Sequence, residues 1–374
     1  MRCSYFDAGV CLSCTLMGSD YSVQLAQKNA RVAKLFSDFP TLSWLPPMAS
    51  AESHFRNKAK LVVGGTVSAP TLGILGPSGR GVDLQECGLY EPALAVSFEP
   101  LVRFITLATL PPFDVATGRG ELKNIIVTVS PAGELMVRFV LRSSESIVRI
   151  RKHLTWLLDA LPQAVVVTAN LLPERKAVPE GATEIVLTEA QHLPMRLTKA
   201  TLNLRPQSFF QTNTAIAQGL YDQAAAWVAS MEGPLHLWDL YCGVGGFALS
   251  CAGPDRSVLG VEISEQAIAS AQTSVADSNL DVRFLVGDAL TAASHEEADP
   301  DLVIVNPPRR GIGDLADWLD RSPARNVIYS SCNADSLIRD LAQMPHFTPV
   351  EARVFDMFPQ TNHAETMVLL ERVA

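Results

Sequence analysis

Two residues near the C-terminal end can together carry nucleophilic and base chemistry. Cys332 closes the short run Val327-Ile-Tyr-Ser-Ser and is followed by Asn333, and Glu365 ends the segment Phe358-Pro-Gln-Thr-Asn-His-Ala-Glu. A thiolate is a good nucleophile, and a carboxylate can take a proton. One reaction suits such a pair. C5 of uracil is a poor nucleophile, but addition of a thiolate at C6 turns the ring into an enolate with electron density at C5. C5 can then accept a methyl group from a sulfonium, and a base removes the C5 proton so that the thiolate can leave. Cys332 fits the nucleophile and Glu365 the base. A free thiol ionises only near about pH 8.5, so the site is expected to stabilise the thiolate, with Arg309 as one source of positive charge.

Either residue alone has an ordinary reading, since a cysteine at a strand end is commonly a small packing group. Their company argues otherwise. The stretch Asn306-Pro307-Pro308-Arg309-Arg310-Gly311 follows another apolar strand. In enzymes that methylate exocyclic amines, an aromatic residue follows Asn/Asp-Pro-Pro and stacks on the base. Arg309 stands there instead, which disfavours amine methylation.

A donor site is written in Leu237-Trp-Asp-Leu-Tyr-Cys-Gly-Val-Gly-Gly-Phe-Ala-Leu, a strand, a glycine loop and a helix start. Gly243, Gly245 and Gly246 let backbone pass close to a ligand at a helix N-terminus. Glu262 ends the next apolar strand, where a carboxylate can accept both hydroxyls of a ribose. Asp288 ends a third, within reach of an adenine amino group. The loop is neither Gly-x-Gly-x-x-Gly nor followed by Gly-Lys-Ser/Thr, so dinucleotide and nucleoside-triphosphate readings lose ground. It is similar to the loop of class I S-adenosylmethionine-dependent methyltransferases.

The elements that must hold these residues fall into two regimes. Residues 22–37 have helical spacing, broken by Pro40, Pro46 and Pro47. From 54 to 142 strand signals dominate around a helix at 94–110. A helix at 146–161 and short strands at 164–168 and 184–188 complete an α+β region. Beyond residue 206 short apolar strands at 235–241, 257–263, 282–286, 302–305 and 326–330 alternate with helical stretches, the pattern of a doubly wound parallel sheet. The runs 351–355 and 365–371 leave no room for a crossover helix and predict an antiparallel hairpin at the sheet edge. The expected division is 1–205, an α+β RNA-recognition domain with a cysteine cluster, and 206–374, a Rossmann-like α/β methyltransferase domain.

Composition agrees with two tasks. The 374 residues carry a net charge of −9, yet residues 1–205 hold 21 Lys/Arg against 17 Asp/Glu, and residues 206–374 hold 9 against 22. A net +4 beside a net −13 suits a region tolerant of a polyanion joined to one that is not. No apolar run approaches the length of a membrane span, and the N-terminus lacks a basic stretch followed by an apolar one. A cytoplasmic monomer without membrane contact is expected. Seven cysteines, an odd number, do not read as a disulfide framework. Cys3, Cys11 and Cys14, with Cys87 further on, can hold zinc or an iron–sulfur cluster, or no metal at all. Cys242 and Cys251, in the glycine-loop segment, read as packing residues.

With these residues in view the chain resembles bacterial 23S ribosomal RNA uracil-C5 methyltransferases, within the RNA 5-methyluridine methyltransferase family. The resemblance runs nearly end to end: Cys3-Ser-Tyr-Phe-Asp-Ala-Gly-Val-Cys-Leu-Ser-Cys, Phe55-Arg-Asn-Lys, Arg205-Pro-Gln-Ser-Phe-Phe-Gln-Thr-Asn, Asp239-Leu-Tyr-Cys-Gly-Val-Gly-Gly-Phe, Asn306-Pro-Pro-Arg-Arg-Gly-Ile-Gly, Tyr329-Ser-Ser-Cys-Asn and Phe355-Asp-Met-Phe-Pro-Gln-Thr-Asn-His-Ala-Glu. It implies that Cys3, Cys11, Cys14 and Cys87 ligate a [4Fe-4S] cluster with a structural or RNA-facing role. It implies that Gln211, Tyr241, Glu262 and Asn306 contact S-adenosylmethionine, in addition to Gly243 and Asp288, read above from the loop and strand ends. It implies Cys332 as nucleophile, Glu365 as base and 23S ribosomal RNA as partner.

Two departures stand out. Relatives often carry a small β-barrel RNA-binding module ahead of the cysteines, so here the grip on RNA is expected from the α+β half. Some relatives have Asp where Asn306 stands. Phe209, Phe210, Arg56, Asn57 and Lys58 are candidate stacking and phosphate contacts for a uridine extruded from its stack. Cytosine-C5 methylation is disfavoured because the fourth strand offers no second cysteine after proline. A radical enzyme is disfavoured because four candidate ligands would close the cluster.

Overall fold

The strand signals of the first half become one seven-stranded sheet. The computed structural model describes residues 1–76, 79, 81–174, 178, 180–276, 278–296 and 298–373. In spatial order this sheet runs Gly81–Asp83, Ala69–Leu75, Lys58–Thr66, Leu122–Val129, Leu135–Leu141, Ala164–Leu171, Thr183–Val186. All neighbours are antiparallel except Leu135–Leu141 with Ala164–Leu171. That pair is joined by the helix Ile147–Ala160, since parallel neighbours need a crossover. The helix expected over 94–110 is split into Pro92–Ala95 and Phe98–Leu107.

One face of the sheet packs on these helices through Leu101, Phe104, Ile105, Val127, Phe139, Ile150, Leu157 and Val167. Here the helices follow their apolar stripes, and each fully buried side chain contributes about 1.5–3 kcal/mol. On the strand Leu135–Leu141, Arg138 is fully buried and paired with Glu180 and Glu184, whose carboxylate also takes hydrogen bonds from Thr168 and Asn170. A buried guanidinium is tolerable only with such partners.

The second half forms an eight-stranded sheet in the order Ser43–Trp44, Phe347–Phe355, Glu365–Arg372, Asn326–Ser331, Leu302–Val305, Leu235–Leu240, Arg256–Glu262, Val282–Val286. The five strands from Asn326–Ser331 to Val282–Val286 are parallel, and Glu365–Arg372 inserts antiparallel. The hairpin expected at the edge is therefore not the edge itself. Its strand Glu365–Arg372 is interior, and Ser43–Trp44 pairs with the outer strand. Leu235–Leu240 has Arg256–Glu262 on one side and Leu302–Val305 on the other, so the direction of winding reverses beside the glycine loop. Ligands of open α/β sheets bind at such a reversal, outside the carboxyl ends of the strands.

The chain does not divide once near residue 205. One compact unit comprises Met1–Met17, Glu52–Arg196 and Arg205–Gln207; the other comprises Gly18–Ala51, Leu197–Leu204 and Ser208–Ala374. The helix Tyr21–Leu35 thus belongs with the parallel sheet, where Val32 and the adjoining Phe36 join its core. A boundary drawn from composition along the chain cannot register such crossings, because a linear window sees neighbours in sequence only. Among the described residues, no helix is long and apolar enough to cross a membrane.

Candidate active site

The glycine loop leaves the strand Leu235–Leu240 through Tyr241, whose backbone is left-handed with φ 69°. Only a well-determined loop holds a tyrosine there. Gly245, φ 84°, caps the helix Gly246–Cys251. Gly246 admits no side chain, because a Cβ would lie 2.4 Å from the ring of Tyr221. Asp239 is fully buried and accepts from the amide of Ala248 at 2.9 Å, tying strand to helix. Burial pushes its carboxyl up to about 7, against the pull of that amide.

At Gly243, φ 54°, a Cβ would meet nothing within 4 Å, so the loop borders open space. Glu262 stands at the same rim, half-buried, accepting from the amides of Ser264 at 3.0 Å and Gly243 at 3.3 Å. Asp288 is exposed, and one carboxylate oxygen caps the helix Ala289–His295 through Thr291. Burial raises the phenol of Tyr241, with Asp288 and Glu262 adding to the effect. Tyr241, Glu262 and Asp288 therefore share one neighbourhood. Asn306 is half-buried at the end of Leu302–Val305, its amide without a hydrogen bond among the described residues. Gln211 is half-buried just ahead of the helix Thr214–Ala229. The open cradle at Gly243, the strand-end carboxylates and the available amide fit a nucleoside with a charged tail.

Cys332 lies one residue beyond the strand Asn326–Ser331, which pairs antiparallel with Glu365–Arg372 and ends at Ser331 opposite Thr366. Cys332 follows directly in a bend, one residue past the last register pair, while Glu365 is one residue before Thr366 on the partner strand. Ser330 donates to Glu365 at 2.9 Å. Two observations fit this placement: the charge of Glu365 raises the Cys332 thiol, and the sulfur is half-buried rather than sealed in the core.

Burial is the main cause that raises Cys332, while Arg309 opposes it with a hydrogen bond to the sulfur and its positive charge. Glu365 is 2% exposed, and burial pushes it up to about 7 despite the Ser330 hydroxyl. A carboxylic acid that changes charge near neutrality suits proton transfer at physiological pH.

The loop around Arg309 is held by Asn333 and by Asp340, which the sequence does not single out. The side chain of Asn333 donates to the Arg309 carbonyl at 3.0 Å. Asp340 accepts from the Tyr329 hydroxyl at 2.6 Å and the Ile312 amide at 2.8 Å. A Cβ on Gly311, φ 88°, would lie 2.1 Å from the Asp340 carboxylate, so only glycine lets the loop sit there. Asp340 and Tyr329 thus stitch the 306–313 loop to the thiol-bearing strand. The only sequence signal of Asp340 is an acid near the end of the helix Ala334–Leu341, which follows Cys332. His363 is exposed, and burial with Arg309, Arg31 and Lys28 nearby lowers its pKa.

Other candidates divide. Phe209 is 66% exposed while Phe210 is core, so one ring of the pair is available for stacking. Asn57 is buried, which removes it as a phosphate contact; its position in the sheet decides this, since Asn57 leads into the strand Lys58–Thr66. Cys242 and Cys251 are buried packing groups.

In the other unit, Cys3, Cys11, Cys14 and Cys87 are all free thiols. Burial pushes Cys14 up to about 11, and the three other cysteines push it the same way. Burial raises Cys87 too, with Cys3 and Cys11 adding to it. The fold therefore gathers all four. Among the described residues, however, no group of three or more His, Cys, Asp or Glu is arranged to hold a metal ion. The chemistry of the set still fits a cationic centre, since a thiolate at buried Cys14 or at Cys87 is unfavourable beside the other sulfurs unless positive charge sits among them.

The fold and the glycine-loop site define a class I S-adenosylmethionine-dependent methyltransferase. Comparison narrows the class. The family model "tRNA (Uracil-5-)-methyltransferase" matches residues 189–373. The chain is 46% identical over 374 residues to the 23S rRNA (uracil(747)-C(5))-methyltransferase RlmC of Escherichia coli O7:K1 (strain IAI39 / ExPEC), covering 99% of both chains. It is 46% identical over 373 residues, with the same coverage, to the protein of that name from Shigella boydii serotype 4 (strain Sb227). The crystal structure of Pyrococcus abyssi tRNA (uracil-54, C5)-methyltransferase in complex with S-adenosyl-L-homocysteine superposes with a TM-score of 0.79 at 25% identity, over 96% of this chain and 86% of that one. The chain belongs to the family of S-adenosylmethionine-dependent RNA uracil-C5 methyltransferases.

Proposed function

We propose that this protein methylates C5 of a uridine in 23S ribosomal RNA, acting as a cytoplasmic monomer. Its RlmC relatives carry uracil(747) in their names, and we take the equivalent uridine as the target. The observation that supports the mechanism is that Cys332 and Glu365 adjoin the last register pair of two neighbouring strands, with the charges of Glu365 and Arg309 both felt by the thiol.

Bound S-adenosylmethionine supplies an electrophilic methyl group on a sulfonium. Gly243, Tyr241, Glu262, Asp288, Asn306 and Gln211 are the residues that would hold it. The Cys332 thiolate, favoured by Arg309, adds to C6 of an extruded uracil, forming the S–C6 bond and leaving an enolate. C5 takes the methyl group, forming a C–C bond as the donor's S–CH3 bond breaks. Glu365 removes the C5 proton, the S–C6 bond breaks, and Cys332 leaves as thiolate. Product release lets Glu365 return its proton to water. The exposed Phe209 ring and the Arg56 guanidinium are suited to hold the RNA.

We assign Cys3, Cys11, Cys14 and Cys87 as ligands of a [4Fe-4S] cluster, supported by four free thiols close enough that the others raise Cys14 and Cys87. No step of methyl transfer passes through it. Anaerobically purified protein should be brown and contain iron, and stoichiometric zinc in a colourless preparation would reverse the metal.

The reaction is tested with Glu365→Gln. This variant should trap an RNA–protein adduct that survives denaturant, because methylated enzyme-bound uridine cannot lose its C5 proton. Its absence would remove Glu365 as the base.

A further inference from the structure

The strand carrying Glu365 is reached through the loop 356–364, which has a turn of its own, the Thr361 hydroxyl donating to the Phe358 carbonyl at 2.8 Å, and is tied at its start by the Asp356 amide to the Met48 carbonyl at 3.0 Å. The helix Tyr21–Leu35 adds a set of side-chain ties along its length. Gln24, Lys28 and Arg31 lie on one face at the i, i+4, i+7 spacing, and each reaches the loop. Gln24 donates to the Gln360 side chain at 2.9 Å and accepts from the Gln360 amide at 3.1 Å. Lys28 donates to Asp356 at 2.7 Å and to the Phe358 carbonyl at 3.0 Å. Arg31 donates to the Asn362 carbonyl at 2.7 Å.

The central pair is buried on both sides, with side-chain exposures of 3% for Lys28 and 0% for Asp356. A buried ion pair is often no more stabilising than an apolar pair of the same volume, but it fixes geometry where an apolar pair does not. The loop also carries costs that a merely stable packing would shed. Gln360 is held left-handed at φ 67°. One oxygen of Asp356 and the Gln360 amide nitrogen are buried without partners among the described residues. Strain and unmet polar atoms persist where a conformation is over-determined. The loop opens at Phe355 and closes at Glu365, which are register partners, so its shape sets where the Glu365 carboxylate begins.

We propose that the polar face of this helix, pinned by Lys28 and Asp356, is a positioning device for the base, and that it governs C5 proton removal rather than thiol addition. The inference rests on the proposed mechanism above. Lys28 and Asp356 touch neither substrate nor donor in this role; they act through the loop.

The test uses the full protein with 23S rRNA fragment and S-adenosylmethionine, comparing Lys28→Met, the charge-free pair Lys28→Met/Asp356→Asn, and Glu365→Gln. A misplacement of about 1 Å typically costs on the order of a hundredfold in rate. The double variant should therefore turn over about a hundredfold more slowly while accumulating denaturant-resistant adduct at the wild-type rate of addition. Arg31→Ala, which removes a surface contact, should shift the same partition in the same direction by less. The double variant keeps the idea exposed if Lys28→Met alone fails to fold, because it leaves no uncompensated buried charge. A folded double variant with wild-type turnover, or one losing adduct formation in step with turnover, overturns the proposal. If Glu365→Gln itself traps nothing, the base assignment falls and the positioning role falls with it. If Glu365→Gln traps while the double variant resolves normally, only the positioning role is lost.

Discussion

Two sets of cysteines share one chain, and burial raises the thiol in both, but the neighbours differ. Cys14 is buried beside three other thiols, and both burial and those neighbours push it up to about 11. Cys332 is half-buried at a strand end, where Arg309 works against its burial. The same side chain thus serves, in the proposed reading, as a ligand of a cationic centre in one unit and as a nucleophile in the other. The difference lies in what surrounds the sulfur, not in the sulfur. Within the parallel-sheet unit the lesson repeats in the carboxylates. Exposed Asp288 caps a helix, whereas buried Glu365 and Asp239 are both pushed up to about 7.

The sharpest way to break the comparison is to remove one sulfur from each set. Cys332→Ala should make no detectable 5-methyluridine while still binding S-adenosylmethionine, read by nucleoside mass spectrometry and calorimetry. Cys14→Ser should lose iron and several degrees of Tm, with purified protein colourless. If Cys332→Ala lost iron, or Cys14→Ser kept it, the two roles would not be separable. Next in size is Arg309→Ala. Removing a charge-assisted hydrogen bond to the thiolate should lower methylation at neutral pH by roughly ten- to a hundredfold and move the pH–rate profile to higher pH. An unchanged profile would mean that Arg309 does not hold the thiolate.

The smallest expected effect is the pH dependence of the base. Product release from the adduct should fall about tenfold per pH unit below about 7, because protonated Glu365 cannot accept the C5 proton. Stability has the opposite sign. The Glu365 carboxyl rises on folding from 4.5 to about 7, so its contribution is complete below pH 4.5 and lost as pH rises through 7. Glu365→Gln should therefore be more stable than wild type at pH 8, by up to about 3 kcal/mol, and no more stable at pH 4. Equal denaturation midpoints at pH 8 would show that burial does not hold this carboxyl high.

Much of this site was legible in order along the chain. The strand-loop-strand spacing from Asp239 to Glu262, the Asn306-Pro-Pro-Arg turn and the thiol after Tyr329-Ser-Ser each announce themselves locally, because strand ends and glycine turns have local signatures. The helix 22–37 was equally legible as a helix. Its destination was not: it leaves the N-terminal cysteines and joins the parallel sheet. The hairpin was legible, but its place inside the sheet was not, since an edge is a property of the whole sheet. Asp340 and Asp356 gave no signal of their work, because an acid in a helix or loop reads as solvated until its partner is known.

What the sequence determined alone was the inventory and its local setting: a thiol and a carboxylate at the ends of short apolar runs, a glycine loop with strand-end acids, and four N-terminal-half cysteines. Periodicity and turn chemistry act over a few residues, so they can be read from a few residues. Only the tertiary structure decided that Cys332 lies close enough to Glu365 and Arg309 to feel their charges, and that a helix more than three hundred residues upstream grips the loop before Glu365. Register, burial and the charge felt by a titrating group depend on which distant segments pack together, and no local window contains them.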